Sequence, residues 1–111
     1  MNSEIKFKIK LDEDRIPEKI EWDASDRPED ASSDTKAIAI GLWDDKLSNT
    51  LRIDLWTKDM SVLDMKKFYI DMIGGMAESI RNATDDQVMA NRIQEVVQEL
   101  VLHVKNTENQ A

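Results

Sequence analysis

Up to Trp56 the apolar residues of this chain mostly alternate with polar ones, and after Ser61 they recur at every third or fourth position. A period of two belongs to a half-buried strand and a period near 3.6 to an amphipathic helix, so strands come first and helices last. Ile5, Phe7, Ile9 and Leu11 alternate with Lys6, Lys8 and Lys10; residues 12–15 are a polar turn; Ile16, Ile20 and Trp22 then alternate with Lys19, Glu21 and Asp23. These segments read as a β-hairpin over residues 3–24. Pro17 has no N–H to donate and belongs at the start of its strand or on an edge. The outer face sets lysines beside Glu21 and Asp23, and opposite charges across strands stabilise by about 0.2–1 kcal/mol per pair.

Residues 25–35 are a loop by composition, rich in Ser and Asp around Pro28. Residues 36–44 (KAIAIGLWD) are apolar on both strand faces, so alternation says nothing, and length does not separate a short helix from a buried strand. Ser33 or Asp34 could cap a helix, whereas Ile38 and Ile40 lean toward strand and Gly41 weakens a helix; a short helix is favoured and the strand stays open. Residues 50–58 form a further strand with Leu51, Ile53 and Leu55 inward, which puts Trp56 on the polar face with Arg52 and Asp54.

Ser61 opens a helix over residues 61–83, with Val62, Met65, Phe68, Tyr69, Met72, Ile73, Met76 and Ile80 on its apolar stripe. Gly74 and Gly75 lie inside it at about 1 kcal/mol each relative to alanine, which points to close packing against another backbone, with a kink as the alternative. Thr84 and Gln87 fit a capping box for a second helix over residues 85–105, and residues 106–111 are a polar tail expected to fray. The short connection makes the helices antiparallel neighbours. The economical solution is one two-layer α+β domain, with an antiparallel sheet of three or four strands packed against the helix pair. The second helix's apolar stripe is wide enough to leave Val88, Val97 or Val101 for a homodimer.

The net charge of this 111-residue chain is −8, which argues against phosphate-backbone binding and against docking on anionic lipid. Residues 12–34 hold ten acids against Arg15, Lys19 and Arg27, so −7 of the total lies there. Asp12, Glu13 and Asp14 at the turn and Asp26, Glu29 and Asp30 in the loop form the acidic patch. No apolar run is long enough to span a bilayer and the N-terminus has no signal-peptide core, so a cytoplasmic location and no membrane insertion are expected.

Little here carries chemistry. There is no cysteine and one histidine, His103, so no thiolate or His-rich metal site is expected. Asp12-Glu13-Asp14 fails as a calcium loop, because Pro17 and Asp23 stand where Gly and Glu are needed. The glycines do not build a phosphate cradle. No catalytic residue and no cofactor is assigned. The polar sheet residues Lys6, Lys8, Arg52, Asp54 and Trp56 are the candidate partner-binding surface, since Trp and Arg are enriched in binding hot spots. A small-molecule or ion-binding pocket between sheet and helices is the alternative.

Several stretches together carry a resemblance. They are Ser3-Glu4-Ile5-Lys6-Phe7 with residues 17–24 (PEKIEWDA), Leu42-Trp43-Asp44, residues 50–60 (TLRIDLWTKDM), the Met- and Phe-bearing helix, and Ala83-Thr84-Asp85-Asp86. The chain resembles the gliding motility-associated protein C (GldC) family over essentially its whole length, with residues 51–60 the most specific piece. The resemblance implies a small accessory protein without catalytic activity, linked to surface gliding and its associated secretion machinery. Other gliding components would be its partners, among them a membrane-anchored lipoprotein encoded nearby. The family's Ala/Met/Leu-rich composition at the positions of residues 36–43 also favours helix there.

Overall fold

The computed structural model describes residues 1–109. The fold is α+β, and the chain divides into two compact units, Met1–Met60 and Ser61–Ala111, each described by itself.

The first unit holds five strands: β1 (Ile5–Leu11), β2 (Pro17–Ala24), β3 (Asp34–Thr35), β4 (Ala37–Asp44) and β5 (Asn49–Trp56). They form a three-stranded sheet in the order β1-β2-β3 and a two-stranded sheet β4-β5, with every pairing antiparallel. In the first hairpin Phe7 faces Trp22 and Ile9 faces Ile20 on one side, while Lys6 faces Asp23 and Lys8 faces Glu21 on the other. Ile20 is fully buried, and Pro17 is the first residue of β2.

Asp12 makes the turn of this hairpin. Its Oδ1 accepts from the backbone N–H groups of Asp14 (2.8 Å) and Ile16 (2.9 Å), and Arg15 takes the left-handed conformation at φ 65°. Its Oδ2 accepts from Lys58 Nζ at 3.1 Å, just past the end of β5. The loop after β2 is pinned to Trp22, whose indole N–H donates to the Ser32 carbonyl (2.9 Å) and whose backbone N–H donates to Ser33 (2.8 Å). Arg27 lies 5.9 Å from the Trp22 ring and pairs with Asp23 at 3.4 Å.

Two expectations are corrected here. Residues 36–44 are not a short helix but strand β4. Ile38, Ile40 and Leu42 stand opposite Leu55, Ile53 and Leu51, and these aliphatic cross-strand pairs outweigh any cap at Ser33 or Asp34. The strand at residues 50–58 pairs with β4 and not with the first hairpin. The third strand of the first sheet comes instead from the acidic segment, where Thr35 and Asp34 pair with Ile20 and Glu21.

The second unit is an antiparallel helix pair, α1 (Val62–Thr84) and α2 (Gln87–Asn109). The Ser61 side chain accepts from the Asp64 N–H at 3.0 Å and caps α1. Asp85 ends α1 in the left-handed conformation. The cap of α2 is Asp86, which accepts from Met89 N–H at 2.9 Å, and not Thr84, whose hydroxyl donates back to Ile80 within α1. Helix continues to Asn109, past the point where fraying is expected, while residues 110 and 111 lie outside the described residues. Ala77 and Ala90 are fully buried, small enough for close helix approach.

A polar clasp, not foreseen from sequence, joins the helices. Arg81, 23% exposed, reaches Glu78 (2.6 Å) on its own helix and Gln87 (2.8 Å), Asn91 (3.0 Å) and Gln94 (3.1 Å) on α2, and Gln94 donates to Glu78. A β-carbon at Gly74 would lie 4.0 Å from Val97, whereas one at Gly75 would meet nothing within 4 Å. Only Gly74 therefore sits against the neighbouring helix.

Three outcomes follow. Gly75→Ala raises stability by about 0.5–1 kcal/mol in denaturant titration, because helix propensity improves with no clash. Arg81→Ala lowers it by about 1.5–3 kcal/mol, the range for hydrogen bonds to a charged group. The Asp12 carboxyl is held below the ordinary aspartate range, first by the Ile16 N–H and next by Lys58. A depressed carboxyl contributes stability that is full above its unfolded value, near pH 4, and is lost as pH falls through the folded value. The melting-temperature gap between wild type and Asp12→Asn is therefore steady from pH 7 to about 5 and closes in more acid solution.

Candidate functional site

Pairing β4 with β5 gives a sheet with two unlike faces. One is aliphatic throughout, made of Ile38, Ile40 and Leu42 with Leu55, Ile53 and Leu51. On the other, Ala37 stands opposite Trp56, Ala39 opposite Asp54, Gly41 opposite Arg52 and Trp43 opposite Thr50. Ala39 and Gly41 on β4 leave a shallow trough beside the larger side chains of β5, while Ala37, opposite Trp56, is buried. Trp43 and Trp56 close its two ends, about 20 Å apart at strand rise, and are 65% and 45% exposed. Between them Arg52 Nη2 meets Asp54 Oδ1 at 3.0 Å.

Arg52, Asp54 and Trp56 thus share the face expected of them. Lys6 and Lys8 lie on the other sheet, each opposite an acid of β2, so the five candidates do not line one sheet. The acid side of that hairpin is drawn into pairs of its own. Lys19, 3.0 Å away, holds the Glu21 carboxyl below its usual range, with Lys8 adding to the effect. Trp43 is the residue that sequence reasoning missed, because without the register of β4 nothing marks it as facing the same way as Trp56.

The acidic patch also divides. Asp12 is committed to the turn and to Lys58, with a side chain only 14% exposed. Glu18 joins the same ammonium at 3.6 Å. Among the described residues Glu13, Asp14, Asp26, Glu29 and Asp30 enter no ion pair, and these acids face solvent. Among the described residues no cluster of three or more His, Cys, Asp or Glu side chains is placed to hold a metal ion. Nor, among the described residues, is any helix long and apolar enough to cross a membrane.

The arrangement is a surface of exposed aromatic and charged side chains with an acidic turn and loop in the same unit. Comparison with known proteins adds one positive finding. The family model described as gliding motility-associated protein GldC-like matches residues 17–106. Neither the curated proteins nor the solved structures give a match. The match runs from the first residue of β2 into the last turns of α2 and takes in both tryptophans of the trough. The chain belongs to the GldC-like family of gliding motility-associated proteins.

Proposed function

We propose that this chain serves bacterial gliding as a non-catalytic accessory, binding another protein of the machinery through the trough face of β4-β5. The observation that supports this most is the pair of exposed tryptophans, Trp43 and Trp56, framing small residues and the Arg52–Asp54 pair on one face. Trp and Arg supply much of the energy in protein interfaces, and a trough of Ala and Gly lets a partner side chain reach the backbone level between them. The unpaired acids Glu13, Asp14, Asp26, Glu29 and Asp30 would speed encounter with a basic partner surface more than they would tighten the complex. On this reading the protein works in the cytoplasm, and a membrane-anchored lipoprotein of the gliding and secretion apparatus is one candidate partner.

The test is affinity capture of the tagged full chain from a gliding bacterium with quantitative mass spectrometry. Trp43→Ala and Trp56→Ala, each checked for retained fold by circular dichroism, are expected to lower recovery of the gliding components. A hot-spot loss of about 2 kcal/mol corresponds to roughly thirtyfold in affinity. Raising salt from about 0.15 to 0.5 M should weaken capture further through screening. Equal recovery by wild type and both variants would remove the trough from the binding surface.

A further inference from the structure

β5 ends its sheet, and its outer edge has no strand beside it among the described residues. The direction of its backbone groups is fixed by the bonds just beyond its end. Thr57 N–H donates to Lys36 on the β4 side, and Lys58 N–H donates the other way, to Pro17. Directions alternate along a strand, so the N–H and C=O groups of Thr50, Arg52, Asp54 and Trp56 point to the open edge. That edge is bounded at one end by Pro17 and at the other by the turn at residues 45–48. The stretch free to pair is therefore residues 50–56, with Ile53 at its centre.

We infer that β5 pairs with β5 of a second copy of this chain, antiparallel and two-fold symmetric about Ile53, to give a continuous four-stranded sheet β4-β5-β5-β4. In that register Arg52 stands opposite the second copy's Asp54, and Asp54 opposite its Arg52. Ile53 meets Ile53, Leu51 meets Leu55, and Thr50 meets Trp56. Both charges find opposite partners, the aliphatic rows continue on one face, and the trough residues continue on the other.

Neighbouring registers are refused. Centring on Arg52 sets arginine against arginine, and centring on Asp54 sets carboxylate against carboxylate. A slip of one residue between these centres turns the aliphatic row of one copy to the polar face of the other. β1, the long open edge of the other sheet, contrasts with this. Any self-pairing that keeps its faces aligned puts Lys6, Lys8 and Lys10 against one another, which is a known guard against edge association. On β5 the charges are self-complementary instead, and self-complementarity is what a two-fold interface demands.

The experiment is sedimentation of the purified full chain over a range of concentrations, together with cross-linking. Wild type is expected to show concentration-dependent dimer. Arg52→Asp and Asp54→Arg should each weaken it at least tenfold, and the double exchange Arg52→Asp/Asp54→Arg should restore it. Because the chain has no cysteine, Ile53→Cys introduces a single thiol. Opposed residues in such a ladder have Cα atoms about 4.5 Å apart at a non-hydrogen-bonded pair, within disulfide reach. This variant should oxidise to a covalent dimer, and Leu51→Cys should not. Monomer mass at every concentration overturns the inference, as does a dimer that cross-links through Val88→Cys or Val101→Cys on α2 but not through Ile53→Cys. Loss of partner capture on Trp43→Ala with the dimer intact would separate this edge from the trough reading.

Discussion

Asp12 holds both hairpins of the strand unit at once. One carboxylate oxygen closes the β1-β2 turn on two backbone N–H groups, and the other takes the Lys58 ammonium at the exit of β5. Beside that ion pair the Lys58 N–H donates to Pro17. These contacts place the start of β2 against the end of β5 and let the two strands diverge beyond it. The open length of β5, and the direction in which its polar groups face, follow from where that junction sits.

β4 adds an asymmetry of its own. Its two rows are both apolar by composition, yet one is aliphatic and bulky and the other is Ala, Ala and Gly until Trp43. The bulky row pairs with Leu51, Ile53 and Leu55. The small row leaves Arg52, Asp54 and Trp56 standing above their neighbours. A trough needs this difference in size, which hydropathy alone does not register.

Where period and partner type agree, sequence reasoning reached the structure: the first hairpin with Pro17 at the head of β2, the α1 cap at Ser61, and two antiparallel helices. It left β4 undecided and leaned to helix, since a strand apolar on both faces has no alternation, and its partner is recognisable only once Asp44 and Ser48 are seen to shape a tight turn. It missed β3 because two residues of ladder inside an acidic segment leave no pattern. Arg81 was invisible for another reason. Its partners Gln87, Asn91 and Gln94 lie across the helix turn, and nothing local distinguishes it from a solvated arginine. Trp56 was placed on the correct face, but its companion Trp43 required the β4 register.

The charge distribution has a sharper meaning in three dimensions than along the chain. Four of the ten acids in residues 12–34 are paired internally, with Asp12 and Glu18 on Lys58, Glu21 on Lys19 and Asp23 on Arg27. What remains is a set of exposed acids on the turn and the loop. Two of the open strand edges carry opposite arrangements of charge: three lysines in a row on β1, and Arg52 and Asp54 alternating about Ile53 on β5. Like charges along an edge exclude a copy of the same strand, while alternating opposite charges select one in a single register. The lysines of β1 and the ion pair of β5 thus differ in what each edge admits: β1 turns away a copy of itself, and β5 is built to take one in a single register.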